Sequence, residues 1–184
     1  MNELTKQTIG PEIELHTKHT IYDLQNYIAI HKREQLQELE TKHYQCKHLY
    51  VRQVIFNKDD IAIGRVHLKE HMVLITGGPM VISTYICDDK DNVVEDLGTK
   101  EYQSGDVIIS KPGTKRAVFA KGPGTFLCLH YAEKQTLDDL EQELMQKDYL
   151  ALYDSNNKLI DKLITADTMM ERIKQRSQRL LGEK

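Results

Sequence analysis

Apolar residues change period twice along this chain. Over residues 20–42, Ile21, Leu24, Tyr27, Ile28, Leu36 and Leu39 recur at roughly helical spacing. Between them lie mostly Gln, Glu, Lys and Arg without Gly or Pro, which predicts one helix, or two short ones broken near His31. Over residues 46–132 short β-rich runs alternate with turn residues. The runs are 49–56, 61–63, 72–76, 80–87, 93–97, 107–110, 117–120 and 126–131. Every proline after Pro11 falls in a separator, as real strands require, because proline cannot donate to a sheet ladder. Thr136, with Leu137, Asp138 and Asp139 behind it, reads as the N-cap of a helix reaching about residue 146. Residues 149–164 read as a connector with one helical turn. Thr168 and Glu171 form a second capping box, followed by Ile173, Leu180 and Leu181 on a polar, mildly basic helix.

Many short strands with regular turn signals predict an antiparallel sandwich or barrel. The expected architecture is mainly β with flanking helices. It comprises an N-terminal helical segment (1–45), a single antiparallel β-barrel (46–133) and a C-terminal helical extension (134–184). A length of 184 residues suits one such domain. The apolar stripe on the 20–42 helix needs cover, so a homo-oligomer is expected, most simply a dimer.

Composition narrows the partners. The chain carries 25 Lys+Arg against 28 Asp+Glu, a formal net charge of -3, so nothing draws it globally to nucleic acid or anionic membrane. Trp is absent, which removes the strongest stacking platform for single strands. Arg172, Lys174, Arg176 and Arg179 lie between Glu171 and Glu183 and read as a solvated helix face. No run approaches ~18 apolar residues, so no membrane span is expected. Residues 1–10 are polar and lack the apolar run of a signal peptide. Cys46, Cys87 and Cys128 are odd in number and include no CxxC pair, which suggests buried free thiols rather than a zinc knuckle. A cytoplasmic protein is the expectation.

Two stretches carry candidate chemistry. The first is Gly64-Arg-Val-His67-Leu-Lys-Glu70-His71, leading through an apolar run to Gly77-Gly78. The second is Gly105-Asp-Val-Ile-Ile-Ser-Lys-Pro112-Gly113-Thr-Lys-Arg116. Side chains on a strand alternate, so His67 and His71 share parity and both face the interior if one strand runs through them. Glu70 has the opposite parity and turns outward unless a bulge intervenes. His130 ends the last expected strand and offers a third imidazole. Three imidazoles on a rigid frame suit a divalent transition metal (Zn, Fe, Mn or Ni), with positions left for water or substrate. The alternative is a set of hydrogen-bonded polar residues at the barrel mouth. Neutral imidazole is the ligand, so metal affinity is expected to fall near pH ~6.5. Arg116 and Glu70 are the candidate ligand-binding residues. Arg116 offers a bidentate fork for a small anionic ligand, or a salt bridge to Glu70 or another acid. His16, His19, His31, His43 and His48 are scattered over polar or helical segments.

These two stretches resemble the paired motifs of cupins, where a Pro-Gly turn precedes a further metal-binding His. Arg116 stands at that position here. From Gly64 to Leu144 the chain resembles small cupin-like, RmlC-like jelly-roll proteins encoded by tailed bacteriophages and prophages. The resemblance rests on His67 and His71 before an apolar strand, the Pro112–Arg116 turn, and His130 followed by an acidic helix. It covers a little under half of the chain and implies a double-stranded β-helix and a viral origin. It carries no biochemical role; with Arg116 where a metal His would stand and no convincing Glu ligand, the leading reading is a binding protein holding a metal or small anionic ligand in a His-lined pocket. Such a protein would act in host takeover or defence evasion, in the host cytoplasm, with a host or phage protein as a further partner. A metal-dependent enzyme (oxygenase, isomerase or hydrolase) and a virion-associated structural oligomer are the alternatives.

Overall fold

The computed structural model describes residues 21–31, 36–90, 92–148 and 151–160. Helix α1 (Ile21–His31) is followed by strands β1 (Thr41–Cys46), β2 (Leu49–Phe56), β3 (Ile61–Ile63), β4 (His71–Gly77) and β5 (Met80–Cys87). Then come β6 (Val93–Tyr102), β7 (Val107–Ser110), β8 (Thr114–Ala120), β9 (Gly124–Tyr131) and helix α2 (Leu137–Leu144). The strands pair antiparallel in two sheets, ordered β1-β2-β9-β4-β7 and β3-β8-β5-β6. No ladder closes the two sheets into a barrel among the described residues, so the expected barrel is described as a two-sheet β-sandwich.

Every expected strand is present. The bounds of β2, β3, β5 and β7 fall where the sequence puts them, and β6 runs on to Tyr102. The expected 20–42 helix is shorter. α1 stops at His31, and residues 36–40 have no helical structure. There the Leu39 N–H donates to the Asn157 carbonyl at 3.2 Å, and Glu40 accepts from the Ile55 N–H at 2.9 Å. These bonds draw the chain alongside β2 and into β1, an edge strand that helical periodicity hides. Residues 151–160 hold turns and a bridge from Tyr153 to Leu159 rather than a helical turn. The second capping box, His16, His19 and the basic residues after 170 lie outside the described residues. No helix among the described residues is long and apolar enough to cross a membrane.

The period of two along each strand sorts side chains into layers. Val54, Phe56, Val73, Ile75, Phe126 and Cys128 of the larger sheet meet Met80, Ile82, Val118 and Ala120 of the smaller one, forming the inner core. The outer face of the smaller sheet is covered by α1. Ile21, Tyr22, Ile28 and Ala29 share one helical face and pack on Ile63, Tyr85, Cys87 and Ala117, with Leu152 and Tyr153 completing the layer. α2 starts at its Thr136 N-cap, whose side chain accepts from the Asp139 N–H, and lays Leu140 and Leu144 on Tyr50 and Ala132. Of the cysteines, Cys87 and Cys128 are buried as expected; Cys46, on edge strand β1, is exposed.

Among the described residues, the outer face of the larger sheet has no such cover. Tyr44, Val51, Leu129, Met72 and Ile109 form one continuous cross-strand row on it. Tyr44, Met72 and Ile109 in that row are exposed, as are nearby Val107 and Tyr131.

Lys115 lies on the outer face of β8 and is fully buried. Its ammonium meets the Asp148 carboxylate at 2.8 Å and sits 4.8 Å from the centre of the Tyr22 ring. Removing the acid strands a buried cation, which typically costs about 3–5 kcal/mol. Asp148→Ala should therefore lower stability by that order in urea denaturation. The double variant Lys115→Met/Asp148→Leu should recover most of the loss, because an apolar pair of similar volume replaces the charges.

Candidate metal centre

Register assembles the site. His71 on β4 lies directly opposite His130 on β9, His130 opposite Tyr50 on β2, and His71 opposite Ser110 on β7. These four side chains therefore form one inward-facing row. One residue pair further along, the row is Arg52, Cys128, Val73 and Ile108. The next is wholly apolar at its centre: Val54, Phe126 and Ile75. The interior thus passes from an apolar end to a polar one. The smaller sheet follows the same gradient, with Met80 and Ala120 paired at one end and Thr84 and Arg116 paired toward the other.

His67 reaches this row by another route. It is not on one strand with His71, as parity suggested; residues 68–70 bend, and β4 begins only at His71. His67 instead forms isolated bridges to Thr114 and Met145. Its N–H donates to the Thr114 carbonyl at 2.9 Å, and its carbonyl accepts from the Gly113 N–H at 2.8 Å. Gly113 has φ +85° and would place a Cβ 2.5 Å from the Cys87 carbonyl oxygen, so only glycine fits that turn.

The three imidazoles converge. Ring centres lie 4.0 Å apart for His67 and His71, 4.7 Å for His71 and His130, and 5.1 Å for His67 and His130. One nitrogen from each lies within 4.8 Å of the others. Nitrogens bound at ~2.1 Å to one tetrahedral ion sit about 3.4 Å apart, so modest ring rotations bring these into ligand range. The histidines are not at a mouth. They are 8%, 4% and 1% exposed for His67, His71 and His130, because the segment after α2 closes over them. Leu68 donates to the Leu144 carbonyl and Gln146 to the Val66 carbonyl, both at 2.8 Å.

Burial sets their charge. Desolvation holds His67 well below the ordinary histidine pKa, with further lowering from its neighbours His71, His130, Arg116 and Arg52. It brings His71 down to about 4 and His130 to about 3. All three are neutral at pH 7, the form that ligates metal. His71 Nδ1 lies 3.1 Å from the Lys69 carbonyl, which fixes the N–H there and leaves the Nε2 lone pair facing inward. The remaining nitrogens are underused: His67 Nδ1 and both ring nitrogens of His130 are buried without a hydrogen-bond partner. A donor set of three neutral imidazoles with orphaned buried nitrogens fits a divalent transition ion. Zn, Fe, Mn and Ni all accept such ligands.

Arg116 is buried on the inner face of β8. It donates from Nη2 to Ser110 Oγ at 2.8 Å and from Nη1 to His71 Nε2 at 3.3 Å. Glu70 stays outside this cluster. It is exposed in the bend before β4, and the salt bridge between it and Arg116 is not formed. Three nearby residues were not singled out from sequence. Tyr50 tilts its ring over His130 at 6.1 Å, and its hydroxyl lies 2.8 Å from His43 Nδ1. Ser110 holds Arg116, and Arg52 points inward two residues from Tyr50. The signal for Arg52 is in the sequence: within 49–56 it shares parity with Tyr50, Val54 and Phe56, an arginine on an apolar face.

Nothing matches this chain among known protein families or curated proteins. Among solved structures its neighbours include cupin and RmlC-like jelly-roll proteins. A cupin superfamily protein from Desulfitobacterium hafniense is 15% identical, with a TM-score of 0.38 over 53% of this chain and 80% of that one. An RmlC-like cupin with a double-stranded β-helix fold from Methanocaldococcus jannaschii is 10% identical, with 0.41 over 52% and 81%. KdgF from a Halomonas species is 13% identical, with 0.41 over 55% and 84%. These overlaps are loose, and the functional reading rests on this chain's own residues.

The depressed histidines make stability depend on pH. Between the unfolded value near ~6.5 and the folded values of about 4 for His71 and about 3 for His130, the unfolded chain binds more protons than the folded one. Stability should therefore fall as pH drops from ~6.5 toward 4, with a slope approaching ~1.4 kcal/mol per pH unit for each histidine. Urea midpoints of EDTA-treated protein at pH 7, 6 and 5 measure it. His130→Leu should remove about one histidine's share of the slope, whereas a midpoint flat across that range would contradict the burial of neutral rings.

Proposed function

We propose that this protein is a metal-binding module in which His67, His71 and His130 hold one divalent transition ion. The observation that carries this is His130, buried in the row with neither ring nitrogen bonded. A neutral imidazole has one N–H and one lone pair, and leaving such groups unpaired in an interior costs about 1–3 kcal/mol each. His67 and His130 each have a buried ring nitrogen without a partner, and His71 Nε2, which accepts from Arg116 Nη1 at 3.3 Å, joins them as a ligand when that guanidinium gives way. When bound, the ion supplies a Lewis acid with coordination positions open to water or a small ligand. Three imidazoles are the cluster's donors among the described residues, a set that serves simple binding and, with a position left open, metal-dependent turnover alike. A phage setting, a host or phage partner and a place in the virion draw on the sequence resemblance alone.

Protein made without a histidine tag and analysed by mass spectrometry for metals should carry about one equivalent of transition ion, or take it up from zinc or cobalt. His67→Ala, His71→Ala and His130→Ala should each reduce retention at least tenfold. Retention should persist from pH 7 to pH 5, lower than an exposed triad allows, because burial brings His71 to about 4 and His130 to about 3 and holds His67 well below its ordinary value. Wild-type protein that takes up neither ion would remove the proposal.

We also propose a homodimer through the face of the larger sheet that the described residues leave uncovered. Exposed Tyr44, Met72, Val107, Ile109 and Tyr131 make a patch of the kind that soluble chains usually cover. Light scattering at micromolar concentration should give twice the chain mass, and Ile109→Lys should shift it to the monomer.

A further inference from the structure

We propose that Arg116 is a resident competitor for the metal: its guanidinium holds the one His71 lone pair that an ion needs, so only ions that bind imidazole strongly displace it. This rests on the metal-centre reading and adds to it the residue that selects which ions are held.

His71 has a single lone pair to give. A neutral imidazole carries an N–H on one ring nitrogen and an acceptor on the other. His71 Nδ1 lies 3.1 Å from the Lys69 carbonyl, which can only accept, so the proton is on Nδ1 and the lone pair on Nε2. Arg116 Nη1 donates to that Nε2 at 3.3 Å. Guanidinium and ion therefore exclude each other at this nitrogen. His67 and His130 present no such conflict, since each keeps a buried ring nitrogen without a partner. The competition falls on one ligand of the three.

Arg116 is placed both to compete and to yield. It reaches in from the inner face of β8 and is only 7% exposed. No acid pairs with it among the described residues; its second bond goes from Nη2 to Ser110 Oγ at 2.8 Å. Register puts Ser110 directly opposite His71, so the hydroxyl holds the guanidinium beside that ring. An uncompensated positive charge then stands where a dication would meet it. Yet 3.3 Å is long for such a hydrogen bond, and Nε is buried with no partner, so the guanidinium is not locked in place. Site affinity for divalent ions rises from Mn through Fe, Co and Ni to Cu, with Zn below Cu. One penalty applied to all of them leaves the strong end loaded and the weak end empty at equal free concentration. Arg116 thus makes this a site for ions such as zinc and nickel rather than manganese.

The probes are zinc and manganese, each added alone to the full chain after EDTA treatment and desalting. Zinc affinity is read against a chelating dye, and manganese from the electron paramagnetic resonance of the free ion. Arg116→Met should bind zinc at least tenfold more tightly than wild type, and should take up manganese at a free concentration that leaves wild type empty. Arg52→Met removes an inward-facing guanidinium that bonds Asn157 instead of a histidine, and should tighten zinc by less. In wild type alone, one equivalent of zinc should shift the Arg116 guanidinium resonances in nitrogen NMR, a measurement that needs no variant to fold. The proposal is overturned if Arg116→Met binds zinc no more tightly, if Arg52→Met tightens it as much, or if the Arg116 resonances stay put at full zinc occupancy. Manganese that loads both proteins alike, or neither, overturns the selection of ions. Each of those results in a wild type that holds zinc leaves the metal reading standing. Zinc taken up by Arg116→Met and not by wild type would sink that reading and keep the competitor, and uptake by neither would sink both.

Discussion

The candidate site depends on strand register. Tyr50, His130, His71 and Ser110 face one another only because β2, β9, β4 and β7 pair as they do, and a slip of one residue would turn every member of the row outward. The apolar end of the same strands holds that register. Val54, Phe126 and Ile75 are buried there as a row that cannot flip without exposing the core. Beyond them Gly124 approaches the Thr76 carbonyl so closely that a Cβ would sit 2.7 Å from it, and Thr76 and Thr125 share a hydrogen bond of 2.9 Å. Packing at one end thus fixes polar geometry at the other.

Strand β8 ties this interior to the outer layer. The Thr114 carbonyl accepts from the His67 N–H and Arg116 points inward to the ring of His71, while Lys115 between them points outward to Asp148. The segment after α2 touches both sides. Met145 bridges to His67, and Asp148, three residues on, holds Lys115. The cover over the histidines and the buried ion pair beneath α1 are therefore parts of one strap, anchored on each face of a single strand.

How far the sequence foretold this differs by element. The strands were legible because their β-branched runs are short and their separators hold Gly, Pro, Asn and Asp, each with a turn-forming reason. β1 was not legible. Thr41-Lys-His-Tyr-Gln-Cys is polar, lies on a sheet edge and directly follows residues with helical spacing, so local pattern and tertiary pairing disagree and pairing wins. The three histidines were named, but for His67 the reason differed: a bend and a bridge to Thr114 bring it in, not parity along one strand. Arg52 and Ser110 were missed because each is one polar residue in an apolar run. Their meaning appears only when the cross-strand neighbours are known. The closed state of the site was also hidden, since no local pattern shows α2 folding back over residues 66–68.

Charge gives the last step. Burial keeps the three histidines neutral, while Arg116 brings a buried positive charge against the ring of His71. A dication among the rings meets that charge at close range and low dielectric, which works against the ion. The His71 nitrogen the ion needs is also the one that accepts from Arg116 Nη1, so binding has to turn the guanidinium away from the ring. A fourth imidazole at position 116 would add a ligand atom, whereas the guanidinium competes for one and sets a lower affinity for the metal.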